Sequence, residues 1–116
     1  MVEYQAELKV AEQYLKEMLE ADRDGDYRAF VSRFENIDPE EFNESTFLND
    51  VELMKEELGA FKERVYLGTL NRLCKDGQEK SLRFVWRGIY DKNEALIVLG
   101  IHKKGGIWYV NENHVS

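Results

Sequence analysis

The chain has 116 residues, of which 43% are hydrophobic and 34% charged. That is enough for one globular domain and too little for two. It contains no apolar run of about 18 residues, which excludes a membrane-spanning helix. The single Cys74 can form neither an internal disulfide nor a cysteine-based zinc site.

The net charge is −7, which argues against general nucleic-acid binding, because neutralising phosphates needs clustered Lys and Arg. The charge is divided along the chain. Residues 1–59 hold 17 acids and 6 bases, a balance of −11, and residues 60–116 hold 6 acids and 10 bases, a balance of +4. The acids read as the solvated side of helices. The opening residues lack the basic and apolar parts of a signal peptide, so a cytoplasmic location is expected if Met1 is the native start.

Tyr4, Leu8, Ala11, Leu15, Met18 and Leu19 make one apolar stripe at helical spacing, with Glu and Lys on the remaining sides. Asp22-Arg23-Asp24-Gly25-Asp26 breaks it, with Gly25 suited to a helix end and Asp26 to the next helix cap. Tyr27, Phe30, Val31 and Phe34 predict a short second helix ending at Asn36-Ile37. Asp38-Pro39-Glu40-Glu41 is a start signal with a cap, a first-position proline and a capping box, consistent with a single turn. A longer helix from about Thr46 presents Phe47, Val51, Met54 and Leu58 on one side and stops at Gly59.

The second half predicts four strands, over 61–73, 81–90, 94–102 and 107–113. They are joined by turns at Asp76-Gly77, Asp91-Lys92-Asn93 and Lys103-Lys104-Gly105-Gly106. Helices followed by a meander predict the α+β class: N-terminal helices packed on a curved four-stranded antiparallel sheet. Alternation separates two faces. Val65, Leu67, Leu82, Phe84, Trp86, Ile97, Leu99, Ile101, Trp108 and Val110 are expected to meet the helices. The other face, with Arg64, Tyr66, Leu70, Arg72, Arg83, Val85, Arg87, Ile89, Leu96, Val98 and His102, mixes basic and apolar groups. A strand apolar on both sides, such as Ala95 to Leu99, is usually covered on both, and a second copy of the chain is the simplest cover. Arg64, Tyr66, Arg83, Val85, Arg87 and Val98 are the dimer-face candidates, because Arg and aromatic anchors suit protein interfaces. An anionic ligand or acidic partner is the other reading of these arginines.

Three stretches carry a family resemblance. Ala11-Glu12-Gln13-Tyr14-Leu15 through Asp24-Gly25-Asp26-Tyr27-Arg28-Ala29-Phe30, then Glu57-Leu58-Gly59, then Gly105-Gly106-Ile107-Trp108-Tyr109-Val110 resemble the first two helices, third helix end and last strand of the nuclear transport factor 2-like superfamily. That cone-shaped, cystatin-like α+β fold is shared with ketosteroid isomerase. The resemblance spans nearly the whole chain. It implies a pocket between sheet and helices, used in different members for isomerisation, dehydration, hydrolysis, ligand holding or protein binding, so fold does not decide activity.

The pocket candidates are Tyr14, Phe34, Glu63, Trp86 and Trp108, and the two tryptophans read equally as core. The leading expectation is a non-catalytic, dimeric domain binding a small apolar ligand or a protein partner. The alternative is an isomerase or cyclase type of enzyme, with Glu63 or Glu112 as general base and Tyr14 or Tyr27 donating to a developing oxyanion. His102 takes the parity that points away from the pocket. Asp22-x-Asp24-x-Asp26 fails as a calcium loop, since Tyr27 and Arg33 stand where glycine and glutamate are needed. Asn43-Glu44-Ser45 fits a glycosylation sequon, without a secretion signal to use it. Cys74 reads as a strand-end residue or a lone nucleophile. No phosphate-cradling glycine loop, cofactor motif or metal-ligand spacing is present.

Overall fold

A computed structural model of the chain describes residues 4–116. Residues 1–3, on which the expected lack of a leader rests, lie outside them. Helix α1 (Gln5–Asp24) comes first, then α2 (Tyr27–Val31), α3 (Glu44–Leu58) and the strands β1 (Phe61–Asn71), β2 (Lys80–Tyr90), β3 (Glu94–Lys104) and β4 (Ile107–Val115). The strands form one curved, unclosed antiparallel sheet in the order β1-β2-β3-β4. This is the expected α+β arrangement of helices followed by strands.

The local signals act largely as read. α1 stops at Gly25, whose N–H bonds the Ala21 carbonyl, and the Asp26 carboxylate caps α2 by accepting from the Ala29 N–H. Asp38 accepts from the Glu40 N–H at 2.9 Å and holds a single turn. Asn43 caps α3 through the Thr46 N–H at 3.0 Å. The second helix is shorter than expected. It ends at Val31, and Phe34 instead pairs with Val110 of β4 as an isolated parallel bridge. The Val110 N–H donates to the Arg33 carbonyl at 2.8 Å, so the free edge of β4 takes the backbone that would have continued the helix.

One face of the sheet packs on α1. Ala11, Leu15 and Met18 meet Leu82, Phe84, Trp86, Ile97, Leu99, Ile101 and Val110, all buried. Each large side chain so removed from water contributes about 1.5–3 kcal/mol. The polar atom in this layer is satisfied: Trp86 Nε1 donates to Glu12 Oε1 at 2.8 Å, and Arg64 Nε donates to Glu12 Oε2 at 2.8 Å.

Two face assignments need correction. In β1 the register shifts between Tyr66 and Gly68, making Leu67 an extra residue. Parity is as expected from Gly68 onward and inverted from Glu63 to Tyr66; a second shift, between Phe61 and Glu63, makes Lys62 extra as well and returns Phe61 to the core side. Arg64 and Tyr66 therefore face the helices, Arg64 against Glu12 and Tyr66 against Trp86 at 6.3 Å between rings. Val65 and Leu67 are exposed, and Val65 stands opposite Arg87 on the open face. In β4 the register shifts at Gly100/Ile101, making Asn111 the extra residue. Glu112 consequently lies on the open face, where its carboxylate accepts from Arg83 Nε at 2.8 Å and Nη2 at 3.0 Å.

Candidate functional site

The interface of α1 with the sheet is filled. Trp86 is fully buried and Tyr14 Oη donates to the Trp108 carbonyl at 3.1 Å, with the Arg33 guanidinium 4.6 Å above its ring. Trp108 packs against the same core. Three of the five pocket candidates thus build the core. Glu63 is exposed and paired with Ile89 on the open face, so it enters no pocket. Phe34 alone lines the main cleft.

That cleft, of about 700 Å³, opens between α3 and the edge of β4. Helix α3 is fixed at its two ends and spans the space between them. At its start, Phe47 joins Tyr27, Phe30 and Phe42 in an aromatic box with ring centroids 4.9–6.4 Å apart, sealed by Tyr27 Oη donating to the Phe42 carbonyl at 3.2 Å. At its end, Leu58 packs with Tyr90 and Ala95, and the Lys92 N–H donates to the Leu58 carbonyl at 2.8 Å. Val51, Leu53 and Met54 of α3 form one wall, Phe30, Phe34, Ile37 and Phe42 another, and Asn111 to Ser116 a third.

Asp22 of α1 lines this space. It follows Leu15 by seven residues and Met18 by four, so the apolar stripe of α1 delivers a carboxylate into the interior. Burial pushes its pKa up to about 7, against the opposing pull of the Lys55 ammonium. No hydrogen bond or ion pair reaches this carboxylate among the described residues. Behind Leu58, Tyr90 is buried with a hydroxyl that has no partner among the described residues. Burial and then the Asp22 charge push its pKa up to about 12. Its ring lies beside Gly88, where a β-carbon would stand 3.0 Å from Tyr90 Cε1. Asp22 and Tyr90 were not candidates in the sequence reading. The signal for Asp22 was an acid in line with an apolar stripe, hidden by its place at the start of an acidic turn.

His102 lies on the opposite face, as its parity predicts, and is buried there, at 4% exposure. Its Nε2 meets Glu35 Oε1 at 2.9 Å and its Nδ1 meets Asn111 Nδ2 at 2.9 Å, an arrangement that puts the ring proton on Nε2. Lys104 also bonds Glu35, and these two partners hold the Glu35 carboxyl below its usual range. Arg83, Val85, Arg87 and Val98 share this face through the β2–β3 register, Val85 opposite Val98. The remaining dimer-face candidates, Arg64 and Tyr66, do not reach it. Cys74 is exposed in the loop after β1. Among the described residues no group of three His, Cys, Asp or Glu side chains could hold a metal ion, and no helix is long and apolar enough to cross a membrane. In comparisons with known proteins, no family model and no curated protein matches the chain.

Proposed function

We propose that this chain is a nuclear transport factor 2-like domain that holds a small, largely apolar molecule in the cleft between α3 and β4. The carrying observation is the cleft itself: about 700 Å³, walled by Phe30, Phe34, Phe47, Val51, Leu53 and Met54. That volume is in the usual range for small-molecule sites, which are apolar with a few polar groups. Titration with 1-octanol tests it, read by calorimetry on the wild type and on Leu53→Trp. Leu53 is half exposed, so an indole there fills the cleft without disturbing the core. Binding weakened at least about tenfold in the variant supports the reading. Equal binding by both proteins overturns it.

The domain works as a homodimer through the open sheet face. Val65, Leu70 and Leu96 are exposed there, amid three arginines (Arg72, Arg83, Arg87) and three glutamates (Glu63, Glu94, Glu112). A charge-balanced face is where two copies of a chain of net charge −7 meet with least repulsion. Four strands about 4.8 Å apart, each about 10 residues of 3.3 Å, present on the order of 600–700 Å². A standard interface uses about 800 Å² per partner. The free, exposed Cys74 fits a reducing, cytoplasmic setting.

A second reading rests on Asp22, whose pKa near 7 suits a general base abstracting a proton beside a carbonyl. In that reading Asp22 takes the role expected of Glu63 or Glu112. Tyr14 and Tyr27 already donate to backbone carbonyls, which leaves Tyr90 as the unpartnered hydroxyl. Deuterium exchange at the α-carbon of a cyclic β,γ-unsaturated ketone tests it. A protein-dependent rate lost in Asp22→Asn supports catalysis, and no rate above buffer removes it.

A further inference from the structure

We infer that the cleft selects a ligand with a cationic head on an apolar body, and that Asp22 is the counter-ion for that head. The inference rests on the cleft being a small-molecule site. A carboxylate partly removed from water gains from a partner of opposite charge, and Asp22 is half-buried. Asp22 projects from α1 into the cleft with no hydrogen bond or ion pair among the described residues.

The charges around the cleft point the same way. Its lining includes Asp22, Asp50 and Glu57 and contains no lysine or arginine. Asp50 and Glu57 lie seven residues apart, on one side of α3. Glu112 also borders the cleft but gives its carboxylate to Arg83 and Arg72 on the other face. The charged and titratable groups facing Asp22 are Lys55 of α3, which opposes its protonation, and Tyr90 of β2, which feels its charge. His114 of β4 is the remaining titratable group in the lining. Lys55 is exposed and lies outside the lining, so the position beside Asp22 within the cleft is left to an incoming cation. The unpartnered Tyr90 hydroxyl marks the same end of α3 as a second unsatisfied polar group.

The mechanism has a proton signature. Near neutral pH Asp22 is partly protonated, and pairing with a cation ionises it. Binding therefore releases a fraction of a proton and tightens as pH rises through about 7.

Three probes share one tail and differ in the head: octylammonium, 1-octanol and octanoate. They are titrated by calorimetry at about 0.15 M salt, where attraction by the surface charge is screened beyond about 8 Å. Octylammonium is expected to bind at least about tenfold tighter than 1-octanol at pH 8, and octanoate weakest. Asp22→Asn should bring octylammonium to within about threefold of 1-octanol, both measured on the variant. If the variant does not fold, the wild type alone decides: octylammonium affinity must rise from pH 6 to pH 8 while 1-octanol affinity stays flat. Octanol bound as tightly as octylammonium, or octanoate bound best, overturns the cationic preference and leaves the apolar site standing. No binding of any probe overturns the site itself, and the preference with it.

Discussion

Asn111 lies over Gly100, its side-chain oxygen standing inside the contact distance of a β-carbon built on that glycine. The same added atom would meet Glu112 Cβ at 3.0 Å and Arg72 Nη1 at 3.2 Å. The bulge that carries Asn111 is therefore locked onto a bare strand position, and it turns Glu112 toward Arg83 and Asn113 toward Met18, whose sulfur Asn113 Nδ2 approaches at 3.3 Å. Gly100→Ala should cost roughly 2 kcal/mol, a typical cost of overpacking. Urea unfolding of the variant measures it, and an unchanged midpoint would mean that the bulge relaxes freely.

Asp22 makes stability depend on pH in an unusual direction for a carboxyl. Its pKa is raised from 3.8 to about 7, so between about pH 4 and about pH 7 the folded protein holds a proton that the unfolded chain has released. Stability falls as pH rises through that window. The loss should be roughly 2 kcal/mol, about half the full linkage value because Asp22 keeps some contact with water. Asp22→Asn should remove this component and be the more stable protein at pH 8. Equal pH profiles for the two proteins would show that Asp22 titrates normally.

The Tyr90 hydroxyl is buried without a partner among the described residues, and an unsatisfied buried group costs about 1–3 kcal/mol. Tyr90→Phe keeps the ring against Leu58, Ala95 and Phe61 and removes that cost. Thermal unfolding should show stability raised by roughly 1 kcal/mol. A clear loss would reveal a hydrogen bond to that oxygen.

The open face gives the dimer prediction. Leu96 is exposed and stands opposite Arg87, which pairs with Glu94 at 2.7 Å. Leu96→Asp should halve the mass seen by sedimentation, from twice the 13.7 kDa chain to one chain. Leu73→Asp, at a position 93% exposed in the β1–β2 loop, should leave it unchanged. A wild type that sediments as a monomer contradicts the dimer and leaves the cleft untouched.

Element types and order were legible because the 3.6-residue stripe of α1 and the alternation of β2 and β3 are regular over their full lengths. Faces were legible in β2 and β3, which pair through continuous register. They failed in β1 between the two extra residues Lys62 and Leu67, and in β4 beyond the extra residue Asn111. Nothing in an alternating pattern of apolar residues marks such an insertion. The same inversion moved Arg64 and Tyr66 off the open face and Glu112 onto it. The cleft was illegible for a different reason. It exists because α3 is anchored by Phe47 and Leu58 at its ends and spans the interval between, a tertiary outcome that no local spacing encodes. Phe34 reached the candidate set by its apolar spacing. Asp22 did not, because an acid beside Asp24 and Asp26 reads as turn chemistry until its position relative to Leu15 and Met18 is weighed.

The two described methionines separate the rival locations of a ligand site. Met54 lines the cleft, and Met18 is buried under α1 against the sheet. In protein carrying ¹³C-methyl methionine, titration with octylammonium should shift the Met54 methyl resonance progressively and leave the Met18 methyl in place. A shift of Met18 with Met54 unmoved would put the ligand between α1 and the sheet, and would contradict a binding cleft under α3.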